Sequence, residues 1–163
     1  MPPSRLATLR RRLLIAAPSV LALSLAIGWA TREAAFAKER ADAIASQTVN
    51  LAQVKMEPFS YENRKVGAAG AYVSGDTPAS TKFITGRFVL EPGQTPHKPH
   101  THAEEEVMIV ETGTGEIFCD GKTTKVGPGS VMYTTPNAPH GIVNTGEKPL
   151  IFYFVKWAGV ASK

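Results

Sequence analysis

The feature that most constrains this chain is the segment His100–Glu106, HTHAEEE. Within seven positions it holds two imidazoles and three carboxylates, of which that of Glu106 matters most here. In an extended strand, residues two apart share a face, so His100 and His102 point to the same side. Glu106 has the same parity, but at ~3.3 Å per residue a straight strand would carry it about 13 Å past His102. We therefore predict a turn or sharp bend at residues 103–105, between two strands, so that all three side chains can reach one ion.

The rest of the chain after Leu51 has the pattern of an all-β protein. Short runs of β-branched and aromatic residues alternate with Gly, Pro, Asn and Asp breakers. Asp120-Gly121, between two such runs, is a strong signal for a two-residue hairpin. The predicted strands are 51–56, 59–65, 71–74, 82–90, 105–111, 115–119, 122–126, 130–135, 140–144 and 150–157. Their number and the chain length favour a jelly-roll β-barrel, which leaves few exposed strand edges.

His140 is the third histidine that we assign to a site. It follows Pro136-Asn137-Ala138-Pro139 and opens a strand-like run. A barrel can bring it beside residues 100–106, which would give three imidazoles and one carboxylate. Such a set suits Fe, Mn, Ni, Cu or Zn as the divalent ion, and leaves one or two coordination positions for water, dioxygen or a substrate oxygen.

The basic character of the chain is confined to its N-terminal part. The formal charge is +4 and the pI about 9.3, but residues 1–37 hold five arginines and one glutamate. Of the 18 basic and 14 acidic residues in the chain, 13 of each therefore remain in residues 38–163. No phosphate-binding stripe is indicated, and we predict no nucleic-acid partner.

The N-terminal segment has the pattern of a secretory signal peptide. Arg10, Arg11 and Arg12 precede a 17-residue apolar run from 13 to 29, and Ala35-Phe36-Ala37 is a small-residue cleavage site. The competing interpretations are an uncleaved membrane anchor, for which the run is at the lower length limit, and a cytoplasmic protein. The predicted organisation is a signal peptide or anchor at 1–37, a linker or short helix at 38–50, and a β-barrel domain at 51–163.

Two sequence motifs resemble those of the cupin family over residues 80–157. The first is Gly93, six residues, His100-x-His102-x3-Glu106-x6-Gly113, and the second is Gly127-Pro128-Gly129 followed by Pro136-Asn137-Ala138-Pro139-His140-x3-Asn144. Departures from the family pattern are one extra residue before His100, Ala138 in place of Gly, one residue fewer between Pro136 and His140, and Ser130 in place of Asp. The chain looks most like the small single-domain cupins of the quercetin-dioxygenase-like group.

The resemblance implies a β-barrel with a metal inside, often in a homodimer, and all four metal-binding positions of the family carry ligand types: His100, His102, Glu106 and His140. Iron or manganese is expected first, with nickel, copper or zinc as alternatives. The expected function is that of an exported dioxygenase-like oxidoreductase acting on a small oxygen-bearing organic substrate, with Glu106 as ligand and catalytic base. The alternatives are a metal-dependent isomerase or lyase, and a non-enzymatic periplasmic protein that binds a metal or small molecule. We expect a periplasmic or secreted protein that meets a membrane only through an uncleaved N-terminal segment.

Other polar residues near the motifs have open roles. His97 is a loop residue that supports the ligands, an alternative ligand or a substrate contact. Glu104 is a solvated residue or an acid in the pocket, and Glu105 should face outward. Arg87 would need a partner if it faced the barrel interior, and an acidic substrate is one candidate.

Strand parity predicts which apolar residues line the site. If Glu106 points inward, Met108 and Val110 follow, and His140 carries Ile142 and Asn144 with it. For the strand at 82–90 two alternatives remain open: Phe83, Thr85 and Arg87 inward, or Ile84, Gly86 and Phe88 inward. Further candidates for pocket walls are Tyr133, Phe152 and Phe154.

Overall fold

The computed structural model describes residues 43–159 and Thr31. Residues 43–159 form a short 3₁₀ turn at Leu51–Gln53 and nine β-strands. The strands are β1 (Glu57–Tyr61), β2 (Arg64–Gly75), β3 (Ser80–Leu90), β4 (Glu105–Thr112), β5 (Gly115–Cys119), β6 (Lys122–Val126), β7 (Val131–Thr134), β8 (His140–Val143) and β9 (Leu150–Gly159). The predicted all-β fold class is confirmed.

Two predictions concern residues that the structure describes only in part. The signal peptide or anchor at 1–37 lies outside the described residues except for Thr31, and the linker or short helix at 38–50 is described from residue 43. From 43 to 50 the chain has no regular secondary structure. Within the described residues, no helix is long and apolar enough to cross a membrane.

The strands form two antiparallel sheets. The larger has the order β1-β2-β3-β9-β4-β7, and the smaller has the order β6-β5-β8. The last strand, β9, lies between β3 and β4 in the larger sheet, so residues far apart in the chain become neighbours. An isolated bridge between His100 and His140 adds residue 100 to the free edge of β8. This interleaved order is that of the predicted jelly-roll barrel.

Two of the predicted strands were wrong in detail. Residues 51–53 form a 3₁₀ turn instead of a strand, closed by the Asn50 N–H donating to Gln53 Oε1 over 2.8 Å. The predicted single strand 59–65 is a hairpin between β1 and β2, with Glu62 at φ 48° and Asn63 at φ 62°. Two consecutive positive φ values make a type I′ turn. The hairpin was missed because it lacks glycine; at Asp120-Gly121, where glycine is present, the predicted hairpin is confirmed.

The core lies between the two sheets and is formed by alternate residues of the strands. Ile117 and Ile142 come from the smaller sheet, and the other members come from the larger one. These are Val66, Phe88, Leu90, Met108, Val110, Met132, Leu150 and Phe152. The rings of Phe88 and Phe152 stack with centroids 5.5 Å apart across β3 and β9. Stacked pairs of this kind add to the stabilisation that comes from burial alone.

The turn between β4 and β5 depends on a glycine. Gly113 has φ +83°, and a Cβ there would lie 2.5 Å from the backbone oxygen of Pro149. Gly121 has nearly the same φ, +80°, but a Cβ there would meet nothing within 4 Å. Replacing each of these two glycines by alanine therefore separates two costs. Both variants strain a left-handed backbone, but only the one at Gly113 also places a Cβ against backbone atoms.

We expect Gly113→Ala to lower the free energy of unfolding by about 3 kcal/mol, and Gly121→Ala by only about 1–2 kcal/mol. The difference is the collision, because the backbone carbonyl of Pro149, directly before β9, cannot rotate away as a side chain can. Urea denaturation of both variants measures it. Equal losses for the two alanines would contradict the assigned contact.

Candidate metal centre

The chain brings His100 and His140 together by direct backbone pairing. The N–H of each donates to the carbonyl of the other over 3.0 Å, so the two residues face one another across antiparallel segments. Side chains of such a pair lie on the same face. Their ring centroids are 4.7 Å apart.

The predicted bend in the histidine segment is present. Residues 103 and 104 form it, and Glu105 begins β4. The loop that precedes β8 holds it in place, because the Asn137 N–H donates to the carbonyl of His102 over 2.7 Å. One ligand atom from each of His100, His102 and His140 lies within 4.8 Å of the other two. The three imidazoles are therefore close enough to share one metal ion.

Glu106 lies between two of these imidazoles. Its Oε2 is 2.9 Å from His102 Nε2 and 3.1 Å from His140 Nε2, and the residue is only 9% exposed. Burial acts to raise the pKa of Glu106, but the hydrogen bonds from His140 and His102 outweigh it and lower that pKa. The same contact with Glu106 raises the pKa of His140. In the absence of a metal ion, hydrogen bonds therefore join these ligand atoms.

The opposite nitrogens of both rings are held by backbone carbonyls. His102 Nδ1 lies 2.9 Å from the carbonyl oxygen of Glu104, and His140 Nδ1 lies 2.8 Å from that of Ala138. A ring that donates Nδ1–H to a carbonyl presents the lone pair of Nε2, which is the arrangement found around metal-binding histidines. This observation fits a metal ion better than it fits a plain ion pair.

His100 supplies a second test of the fit. Its Nδ1 is buried and has no hydrogen-bond partner in the described part of the chain. Burial, and then the neighbouring imidazoles of His97, His140 and His102, lower the pKa of His100 to about 4. A neutral imidazole whose buried Nδ1 is unpaired is suited to a metal ligand, because the ligand form of histidine is neutral.

We expect the metal-free protein to lose stability as the pH falls from about 6.5 towards 4. In this window His100 of the unfolded chain takes up a proton, since its ordinary pKa is 6.5, whereas the folded His100 with pKa about 4 does not. The part of this loss that is due to His100 should level off below pH 4. Urea unfolding of chelator-treated wild type and His100→Gln across this range measures it; identical pH slopes for the two proteins would contradict the prediction.

An apolar cavity of about 220 Å³ adjoins the site. His100 and Glu106 form part of its wall, and the other lining residues are Phe59, Ala69, Phe88, Pro96, His97, Met108, Ile142, Phe152, Phe154 and Lys156. The ring centroid of His97 is 4.0 Å from that of His100, so His97 is in contact with the site. This volume is below the roughly 300–1,000 Å³ typical of pockets for drug-sized ligands, which favours a smaller occupant.

Most of the parity predictions for the walls are confirmed. Met108 and Val110 are buried on the side of Glu106, and Ile142 and Asn144 are buried with His140. On β3 the two alternatives placed either Arg87 or Phe88 inward, and it is Phe88 that lines the cavity. Phe152 and Phe154 line it as predicted.

Three polar residues that the sequence offered as candidates for the site do not line the cavity: Arg87, Tyr133 and Glu104. Arg87 pairs with Glu111 at 3.0 Å and does not line the cavity. Tyr133 is 54% exposed and donates to Glu105 on the outer surface, which agrees with the predicted outward direction of Glu105.

Glu104 forms an ion pair with Lys82 at 3.1 Å, and its side chain is only 13% exposed. The hydrogen bond from Lys82 is the main reason why the pKa of Glu104 is lowered.

Lys156 is the charged cavity residue that the sequence reasoning missed. The signal was present, because Phe152, Phe154 and Lys156 alternate along one strand and the first two were assigned to the pocket. A lysine at the end of such a run is usually solvated at a strand end, so residue type alone gave no reason to extend the series.

The Cupin domain family model matches residues 86–156 of this chain, a span that contains all four candidate ligands. Among solved structures, a predicted oxalate decarboxylase from Thermotoga maritima superposes with a TM-score of 0.57 and 24% sequence identity, covering 69% of this chain and 99% of that one.

Two further solved structures have the same fold. The polyketide cyclase RemF from Streptomyces resistomycificus has a TM-score of 0.56 and 23% identity, covering 73% of this chain and 88% of that one. A cupin-2 domain protein from Rhodospirillum rubrum has a TM-score of 0.57 and 15% identity, covering 74% and 79% of the two chains. At these identities the likeness shows the fold and not the activity. With both motifs, the barrel and the histidine cluster in place, residues 86–156 form a cupin domain.

Proposed function

We propose that this protein is an exported metal-dependent oxidoreductase that acts on a small oxygen-bearing organic substrate. The observation that carries the proposal is the cluster of three imidazoles around Glu106 at the wall of an apolar cavity. In this proposal His100, His102, His140 and Glu106 hold one divalent transition metal ion, with iron or manganese preferred over nickel, copper or zinc. The dioxygenase-like chemistry and the quercetin-dioxygenase-like group rest on the two sequence motifs.

A bound ion of this kind supplies a Lewis acid for a substrate oxygen and, if it is iron, a site at which dioxygen can react. The protein's own part is positioning and proton control. Phe88, Phe152 and Phe154 form an apolar wall on the side of the cluster facing the cavity, and a substrate that packs against this wall would displace water from it. Exclusion of water strengthens the electrostatic interactions within the site.

Glu106 is the residue best placed to accept a proton. Its carboxylate is buried, and it lines the cavity beside the imidazoles. A carboxylate in such a position can bind the ion through one oxygen and accept a substrate proton at the other. Its Oε2 lies near both His102 Nε2 and His140 Nε2, so this oxygen shares the position at which these imidazoles would meet the ion.

The solved structures with this fold carry names from different reaction classes, a decarboxylase and a cyclase, so the fold does not select the reaction. The experiment is oxygen consumption by iron- or manganese-loaded protein with small flavonols, diketones and phenolic acids, with product analysis by mass spectrometry. Uptake of one O₂ per product supports the proposal. Product without O₂ uptake shows a lyase or isomerase instead, and a ligand retained unchanged shows a binding protein.

The export part of the proposal rests on residues 1–37, with the arginines, the apolar run and the Ala35-Phe36-Ala37 site. We expect protein recovered from the periplasm or medium of a bacterial host to begin at Lys38. N-terminal sequencing of the recovered protein decides this. Full-length protein in the membrane fraction would show an anchor, and full-length protein in the cytosol would contradict export.

A further inference from the structure

Lys156 is a lysine in an apolar cavity, and nothing in the proposed chemistry uses it. It lies on β9, two and four residues after Phe154 and Phe152, and lines the cavity with both of them. Residues two apart on a strand point to the same face. The lysine therefore extends the row of aromatic side chains that forms the cavity wall.

Strand register places Lys156 opposite Glu106, one of the candidate metal ligands. On one side it is the cross-strand partner of Glu106 on β4, and on the other side it is the partner of Ile84 on β3. Directly opposed residues of an antiparallel pair have their Cβ atoms about 4.5–5.5 Å apart and share a face. Lys156 thus lines the same cavity as His100 and Glu106 of the ligand cluster.

The ammonium group of Lys156 has no carboxylate partner among the described residues. Glu106 contacts His102 and His140, and Glu104 pairs with Lys82. The pKa of Glu104 is lowered first by its hydrogen bond with Lys82, and the charge of Lys156 adds to that effect from farther away. A lysine that lines an apolar cavity without a counter-ion is favourable mainly when a ligand supplies the negative charge.

The charges around the cavity lead to the same conclusion. With a divalent ion bound, three neutral imidazoles and one carboxylate would give the cluster a net charge of +1. Lys156 adds a second positive charge. Two positive charges facing an apolar cavity attract an anion much more strongly than a neutral molecule of the same shape, because the walls screen poorly.

We propose that Lys156 determines substrate specificity by pairing with the carboxylate of a small organic acid, whose apolar body lies against Phe88, Phe152 and Phe154. This inference rests on the proposed function, since it names the substrate class of the same site. It also transfers to Lys156 the role that the sequence suggested for Arg87, which the structure pairs with Glu111 instead.

The test is calorimetric binding of benzoate and of its neutral counterpart benzamide to protein loaded with manganese. We expect wild type to prefer benzoate, and Lys156→Met to weaken benzoate binding about tenfold while leaving benzamide binding unchanged. Lys156→Arg keeps the positive charge and should restore most of the benzoate affinity. Lys82→Met is the matched control: it removes a lysine that pairs with Glu104 and should leave both affinities within about twofold.

Two checks keep this result separate from the proposed reaction. Metal content by mass spectrometry should be the same in wild type and Lys156→Met, which excludes an effect through loss of the ion. Binding is measured without turnover, so an absence of oxygen consumption with every compound would overturn the oxidoreductase proposal alone. Unchanged benzoate affinity in Lys156→Met, equal losses for both probes, or no benzoate binding to metal-loaded wild type would overturn the role of Lys156.

Discussion

Purified His102→Ala protein should contain no stoichiometric metal, whereas the wild type should contain about one divalent transition metal ion per chain. The substitution removes one imidazole of the cluster and one of the two contacts that orient Glu106. Loss of a residue that merely orients a ligand typically costs 10–100-fold in metal affinity, so loss of a ligand should cost more than about 100-fold. Elemental analysis after dialysis, with titration of the metal-free protein, measures both the content and the affinity.

The matched control is His97→Ala. Its ring lies 4.0 Å from that of His100, so it is an imidazole in contact with the site but outside the set of four ligands. We expect this variant to retain the ion. Circular dichroism of both variants verifies the fold, which the partly exposed position of His102 should preserve. A folded His102→Ala protein that still holds one ion, or a folded wild type that takes up none when metal is added, would refute the ligand assignment.

The largest loss of stability is expected at Asn144, which is fully buried. Its Nδ2 donates to the carbonyls of Leu90 and Lys148, each over 2.9 Å, and its Oδ1 accepts the N–H of Gly146 over 2.9 Å. Its backbone exchanges two more hydrogen bonds with Gly93 and Gln94, in the segment that follows β3. This one residue therefore joins the end of β8 to the end of β3 and to the turn before β9.

Replacement by alanine leaves two carbonyls and one N–H without partners. An unsatisfied buried polar group costs about 1–3 kcal/mol, so we expect Asn144→Ala to lower the free energy of unfolding by about 4 kcal/mol. Thr145→Ala, at the exposed neighbouring position, should change it by less than about 0.5 kcal/mol. Denaturant unfolding compares the two. A loss below about 1 kcal/mol at Asn144 would mean that water or local rearrangement satisfies these groups.

The fold class and the grouping of His100, His102 and His140 were predictable from local features of the sequence. Strand positions follow from alternation and breakers, and the Asp120-Gly121 hairpin follows from the φ values that these residues tolerate. The bend after His102 followed from distance alone, since a straight strand cannot bring Glu106 back to the histidines. The errors at 51–53 and at Glu62-Asn63 also have local causes: a glutamine that closes a turn, and a type I′ turn built without glycine.

The sequence by itself determined which side chains are fit to hold a metal and which face of each strand they occupy, because residue type and a period of two are properties of the chain alone. Only the tertiary structure decided which strands are neighbours. The position of β9 between β3 and β4 places Lys156 beside Glu106, and packing pairs Arg87 with Glu111 outside the cavity. Sheet order and register depend on contacts between distant segments, so the charges that face the cavity were decided by folding and not by any local pattern.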